Sequence, residues 1–220
     1  MFIKVLLARH GSSDAYEQLD QDVDVFRQTP LTPLSHAGII QAQQLSKQIS
    51  IYRPDVLLTS PYRRTRQTAD IVAQYVPLFA NVIDDLREIK RVVDKKVSIY
   101  SQLNLDYKRW RGETIRKADL SAKFHPKDES HGEFLARETR VKHWLIQELD
   151  GQTVLVVGHS QAHAMLLGSM ILGDHPKPHT LFNFFNQHFM NHGAITIVTH
   201  DHRHGWQMKE EDFNITKHLK

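Results

Sequence analysis

Two stretches restrict the fold of this chain more than any other feature. Phe2–Ala8 is apolar apart from Lys4, and Thr153–Val157 is apolar without alternation. A strand with one wet face alternates. A run this short that does not alternate reads as a strand covered on both faces, as in the interior of a parallel sheet. Helical patterns stand between such runs. Ser35 is placed to cap a helix to about Ile51, with Ala42, Leu45 and Ile49 on one face. Asp55–Thr59 is strand-like, and Ser60-Pro61 reads as an N-cap followed by Pro at the first position of a helix to about Tyr75. Asn81–Asp84 fits another strand. Ser130 and Glu133 form a capping box before a helix ending near Leu149, with Val141, Leu145 and Leu149 in register. Ser160–Leu172 reads as a helix stopped by Gly173, and Ala194–Thr199 as the last strand, with a hairpin around Arg203–Gly205. Strands alternating with helices predict an α/β fold. The expected form is a three-layer α/β/α arrangement, its mostly parallel central sheet flanked by helices on both faces.

The 220 residues suit one domain spanning 1–220. A chain of this length buries roughly 70–75% of its unfolded surface, so it needs neither disulfide nor metal to fold. Cys is absent, which excludes a disulfide framework and a thiolate metal site. The apolar start is too short to span a bilayer and no small-residue cleavage site follows, so a cytoplasmic protein without membrane attachment is expected. Leu86–Lys127 holds twelve Lys or Arg against five Asp or Glu, a local +7; against a total of +3, the remainder carries −4. Such a patch is either a solvated surface or a funnel for a small anionic substrate. Nucleic acid is not expected, because its recognition motifs and stacking aromatics are missing. Nothing in the sequence speaks to oligomeric state.

Ligands of open α/β sheets bind beyond the carboxyl ends of the strands. Three of those ends carry chemistry. The first strand ends in Arg9-His10-Gly11. The second ends at Ser60, with Arg63, Arg64 and Arg66 soon after. The strand at Thr153–Val157 runs into Gly158-His159-Ser160. Two imidazoles and several guanidinium groups therefore converge from distant parts of the chain. Phosphoryl transfer needs this set. Imidazole is nucleophilic near neutrality, Arg forks neutralise the equatorial oxygens, and helix N-termini favour anions. With several cations present no metal is called for, and no cofactor is expected.

The same residues carry a family resemblance. Arg9-His10-Gly11 matches the signature of the histidine phosphatase superfamily, in its phosphoglycerate-mutase-like branch. Leu34-Ser35, Gly38 and Gln41-Ala42 resemble its L-[ST]-x-x-G-x-x-Q-A helix, and Ser60–Ala69 resembles S-P-L-x-R-A-x-Q-T-A. Leu86-Arg87-Glu88-Ile89 resembles the segment carrying its acid. Glu129-Ser130 with Arg140-Val141, the strand ending in His159, and Asn214 with His218-Leu219 follow in order. The resemblance implies a metal-independent phosphatase that hydrolyses phosphate monoesters through a phosphohistidine on His10. Arg9, Arg64 and His159 would hold the phosphoryl oxygens, and Glu88 would give a proton to the leaving alcohol and then take one from water. Ser13 and Ser160 would assist substrate binding.

The chain departs from the pattern at Ser12, Ser13, Tyr16 and Glu17, where the family often has Glu-Thr and a later Asn. Tyr62 and Thr65 replace Leu and Ala. Lys90–Lys96 stands where G-x-W-E-G is common. A substrate-choosing insertion is accordingly expected around residues 89–128. Three other readings are open. One is mutase-type phosphoryl transfer, and a second is a non-catalytic phosphate-binding protein. The third is a serine esterase using Ser160 in Gly158-His159-Ser160-Gln161-Ala162, which imitates a nucleophile elbow but ends in Ala162. His200, His202 and His204 would share one face if they lay in a strand.

Overall fold

The two apolar runs become the middle of a six-stranded sheet. A computed structural model of the chain describes residues 2–13, 30–92 and 100–219. Within them the elements are β1 (Phe2–Arg9), α1 (His36–Tyr52), β2 (Val56–Thr59), α2 (Arg63–Ala73), β3 (Ala80–Val82) and α3 (Tyr100–Lys117). There follow α4 (His131–Leu149), β4 (Thr153–Gly158), α5 (Ser160–Leu172), α6 (Pro178–Gln187), β5 (Ile195–Asp201) and β6 (Gly205–Gln207). The strand order is β3-β2-β4-β1-β5-β6. The first four are mutually parallel, β5 runs antiparallel to β1, and β6 runs antiparallel to β5.

Strand side chains alternate between two apolar layers, which is why the central runs must be apolar throughout. Ile3, Val5 and Leu7 of β1 and Val154 and Val156 of β4 face Val141 and Leu145 of α4 and Leu166, Leu167 and Met170 of α5. Leu6, Ala8, Leu155 and Val157 point the other way, onto Leu45 and Ile49 of α1 and Ala69 and Val72 of α2. Full burial of one such aliphatic side chain stabilises the fold by about 1.5–3 kcal/mol. The three-layer α/β/α architecture therefore holds. Among the described residues no helix is long and apolar enough to cross a membrane.

Local signals explain most helix starts. Ser35 accepts from the Gly38 N–H as the cap of α1, and Ser130 with Glu133 forms the complete capping box of α4. The Ser60-Pro61 expectation needs correction: α2 begins at Arg63, and its N-cap, Tyr62, makes no side-chain cap bond. Ser60 Oγ is instead engaged by His159, at 2.8 Å. Two helices, α3 and α6, were not expected from the sequence. Residues 93–99 and 14–29, and with them Tyr16, Glu17, Lys95 and Lys96, lie outside the described residues.

Candidate active site

Parallel alignment of β1, β2 and β4 brings their carboxyl ends to one edge. Arg9 pairs in register with Gly158, and Thr59 with Val157. His10, Ser60 and His159 are the next residues along, so they meet at that edge. Because β5 is antiparallel, the loop entering it, Met190–Ala194, arrives at the same place: Ile195 pairs with Ala8.

His10 is 2% exposed and Arg64 1%. The His10 Nδ1–H donates to the Gly11 carbonyl at 2.6 Å, since a carbonyl can only accept. Its Nε2 accepts from Arg64 Nε at 3.2 Å. The imidazole is thus the tautomer with a lone pair on Nε2, aimed at a guanidinium. Arg64 also reaches His159 Nδ1 through Nη2, at 3.2 Å. Guanidinium groups do not accept, so His159 carries its proton on Nε2 and donates it to Ser60 Oγ at 2.8 Å. The two imidazoles stand edge to face, 5.3 Å apart. Burial first, and then the Arg64 charge, holds the pKa of both well below the usual imidazole value. Each is a neutral base.

The loop bearing His10 is held by a close backbone approach. A Cβ on Gly11 would stand 2.2 Å from the Gly38 carbonyl oxygen, and one on Gly38 would stand 1.9 Å from that of Ser12. The Ser35 N–H donates to the Ser12 carbonyl at 3.0 Å, and the Gly11 N–H to Thr68 Oγ1 at 3.3 Å. The start of α1 and the first turns of α2 therefore clamp the segment that presents the imidazole.

Arg9 sends Nη1 to the Met190 carbonyl and Nη2 to His192 Nε2, both at 2.6 Å. Glu88 follows the 3₁₀ turn Asp84–Leu86 beyond β3. One of its oxygens accepts from the Ile89 N–H at 3.0 Å, the other from the Gln161 N–H in the first turn of α5 at 3.2 Å. Burial raises its pKa, while the Ile89 N–H and Arg64 work against that rise. A carboxyl with a raised pKa sits beside two guanidinium groups and two neutral imidazoles. Such a set can hold a phosphoryl group, attack it, and protonate a leaving oxygen.

The structure brings His10, His159, Arg9, Arg64 and Glu88 to one sheet edge, and holds the Ser160 hydroxyl on a neighbouring loop. Ser160 Oγ donates to the Met190 carbonyl at 3.3 Å and accepts from its N–H at 2.9 Å. Its hydroxyl braces a loop, and the imidazole that an esterase nucleophile requires is not on it. Ser13 is fully buried in a bridge to Leu34, and its hydroxyl has no partner among the described residues.

Several neighbours were not anticipated. The Tyr62 ring lies 5.0 Å from that of His159, and the Arg64 guanidinium covers the Tyr62 ring at 5.1 Å. Arg137, and not Arg140, partners Glu129, with two bonds of 2.9 and 3.0 Å. Arg140 is a surface residue near Asp85. Arg137 further donates to the carbonyls of Asp85 and Arg87 and to Glu138, which ties down the segment leading into Glu88. The alternating histidines do not share a strand face: His202 and His204 lie in the β5–β6 turn, bonded to Asp150 and Asp201.

Comparison with known proteins identifies the fold and the family. Over 86 residues the chain is 29% identical to the uncharacterized phosphatase PhoE of Bacillus subtilis, a match covering 38% of this chain and 41% of that relative. Among solved structures, a putative alpha-ribazole-5'-P phosphatase from Escherichia coli superposes with a TM-score of 0.74 at 20% identity, covering 97% of this chain and 96% of the other. The mycobacterial glucosyl-3-phosphoglycerate phosphatase in complex with VO3 gives 0.74 at 20% identity over 97% and 99%. A phosphoserine phosphatase mutant from Entamoeba histolytica gives 0.69 at 19% identity over 99% and 100%. These likenesses establish a shared fold. Residues 5–212 match the profile of the Histidine phosphatase superfamily (branch 1). With nearly the whole chain inside that match, and its imidazoles and guanidinium groups gathered at one sheet edge, this protein belongs to the histidine phosphatase superfamily.

Proposed function

We propose that the protein is a metal-independent phosphatase acting on small anionic phosphate monoesters through a phosphohistidine. The observation that carries this reading is the state of His10: Nδ1–H fixed on the Gly11 carbonyl, and Nε2 unprotonated beside Arg64. In the first step Nε2 forms a bond to phosphorus and the P–O ester bond breaks. The departing alcohol oxygen takes the proton of Glu88. In the second, water adds to phosphorus, gives a proton to Glu88, and the P–N bond breaks to return His10 and release phosphate. Arg9, Arg64 and His159 hold the equatorial oxygens. The guanidinium groups supply the positive charge that a metal supplies in other phosphoryl-transfer sites, so activity survives chelation by EDTA.

Hydrolysis is favoured over mutase-type transfer, which needs a mobile lid to keep water from the phosphohistidine. The segment after β6 is committed to bracing: the Asn214 side-chain oxygen accepts from the Asn191 N–H at 2.8 Å, and His218 Nε2 donates to the Gly193 carbonyl at 2.9 Å. The solved phosphatases above are named for alpha-ribazole-5'-P, glucosyl-3-phosphoglycerate and phosphoserine, which supports a small phosphorylated substrate here. Residues 89–128 form the substrate-choosing insertion in this reading. Of its basic residues, Lys90 is exposed. Arg91 is stacked near Tyr107 and Trp110 and donates to the Glu129 carbonyl at 2.6 Å, so its first duty is structural.

The test is phosphate release from an aryl phosphate, together with acid-labile labelling by a phosphorylated substrate. Both vanish in a folded His10→Ala protein. Activity retained in that variant rejects the mechanism, and isomerisation of 3-phosphoglycerate much faster than phosphate release rejects the phosphatase assignment.

A further inference from the structure

The loop entering β5 carries a third imidazole to the site. His192 is half-buried, and its Nε2 lies 2.6 Å from Arg9 Nη2. A guanidinium only donates, so Nε2 is the acceptor and the ring proton belongs on Nδ1. The other terminal nitrogen of Arg9 donates to the Met190 carbonyl at 2.6 Å. Two acceptors from one short loop thus hold both prongs of the guanidinium fork. The His192 ring also stands against that of His10, with centroids 5.4 Å apart.

The loop is firmly placed. The Gly193 N–H lies 3.2 Å from the carbonyls of both Arg9 and His10, and the Arg9 N–H donates to the Ala194 carbonyl at 3.1 Å. Gly193 has φ of +70°, a left-handed conformation, and a side chain there would also meet Leu219 Cδ2 at 3.1 Å. Burial, followed by the charges of Arg9 and Arg64, lowers the His192 pKa to about 2. The ring is therefore a neutral acceptor at any working pH.

We infer that His192 is a positioning residue, which through Nε2 locks the Arg9 guanidinium in the orientation needed to receive phosphoryl oxygens. The inference rests on the phosphoryl-transfer reading above. Without the acceptor the long Arg9 side chain regains rotamer freedom. A charge misplaced by about 1 Å can cost on the order of 100-fold in rate.

The experiment measures orthovanadate affinity by calorimetry and kcat/KM on p-nitrophenyl phosphate. The proteins are wild type, His192→Phe, His192→Gln, Arg9→Ala, and Arg9→Ala with His192→Phe. The Phe variant keeps a ring without the acceptor and loses about 10–100-fold in kcat/KM, with weaker vanadate binding. The Gln variant places an amide oxygen near the old Nε2 and stays within about threefold of wild type. In the Arg9→Ala background, adding His192→Phe changes either quantity by less than about twofold, because the partner is already gone. A purely structural role would instead cost the same in both backgrounds, and that result, or an unaffected His192→Phe protein, overturns the inference. If His192→Phe does not fold, His192→Asn, whose shorter amide falls short of Arg9, takes its place. Wild type that binds vanadate but releases no phosphate rejects the phosphatase reading alone, leaving the vanadate series to judge His192. Wild type that does neither rejects both.

Discussion

His10 keeps its proton on the nitrogen that faces its own backbone, so the reactive lone pair exists before substrate arrives. That state needs no reorganisation, which is where a preorganised site gains most. Glu88 has the complementary character. Burial raises its pKa, so it can deliver a proton, while the N–H groups of Ile89 and Gln161 keep ionisation within reach. Glu88→Gln is therefore expected to cost about 10²–10⁴-fold in kcat on an alkyl phosphate and far less on p-nitrophenyl phosphate, whose leaving group needs no proton. With an alkyl substrate, wild-type kcat should also decline on the alkaline side as Glu88 ionises, and the Gln variant should lack that decline. Equal losses on both substrates would remove Glu88 from the acid role.

At the scale of elements, two contacts hold the site's walls together. Gly11 and Gly38 bring the His10 loop and the start of α1 into backbone apposition. A Cβ at Gly38 would meet the Ser12 carbonyl, which has no rotamer by which to yield. Gly38→Ala is expected to destabilise by about 1–3 kcal/mol or more, read as a lower urea midpoint, and to lower activity with it. The second contact is Arg137, 1% exposed, which joins Glu129 and Glu138 to the backbone before Glu88. Burial, opposed by Arg137 and reinforced by Glu88, raises the Glu138 pKa well above normal. Arg137→Met should cost about 3–5 kcal/mol, because the buried Glu129 carboxylate would keep only the longer Arg87 ion pair, at 3.6 Å, and Glu138 would lose its guanidinium partner. An unchanged melting temperature would show that the pairing contributes nothing.

What could be read in advance at this scale follows from how local each signal is. α1 and α4 were legible because Ser35 and Ser130 cap them through bonds spanning three residues. Ser60-Pro61 misled because Ser60 looked like a cap, whereas His159, ninety-nine residues away, claims its hydroxyl. Residues 100–117 mix charged and aromatic side chains with Gly112 and show no clean apolar stripe, so α3 was missed. Pro178 at the start of α6 is a local signal for that helix. His192 was hidden by topology: nothing local says that β5 runs antiparallel and so delivers its preceding loop to the edge that carries His10 and His159.

For the molecule as a whole, the buried histidines govern stability against acid. His10 and His159 have pKa values held well below 6.5, those of His131 and His163 fall to about 3, and that of His192 to about 2. Burial is the first cause for each. In the unfolded chain these groups take up protons near pH 6.5. Below that pH the unfolded state binds more protons than the native one, so stability falls as pH falls, by up to about 1.4 kcal/mol per pH unit for each group. Glu88 and Glu138 act in the opposite sense. Their raised pKa values let the native state hold protons that the unfolded state has lost, which favours folding toward acid. The histidines outnumber the two acids, so the balance is a loss of stability toward acid. The urea midpoint should therefore drop steeply between pH 6.5 and pH 5, and a flat profile there would refute this balance.

The reversed direction of β5 also divides the molecule into two poles. One pole gathers the strand exits of β1, β2 and β4 and the entry to β5. The other carries the β5–β6 turn, where His202 bonds Asp150 in the turn that leads into β4. Because none of the candidate site's groups reaches that far end, it is the natural place to grip the protein. Its exposed His202 and His204 could be seized by a nickel-chelating surface, presenting every immobilised molecule with its reactive edge facing the solution.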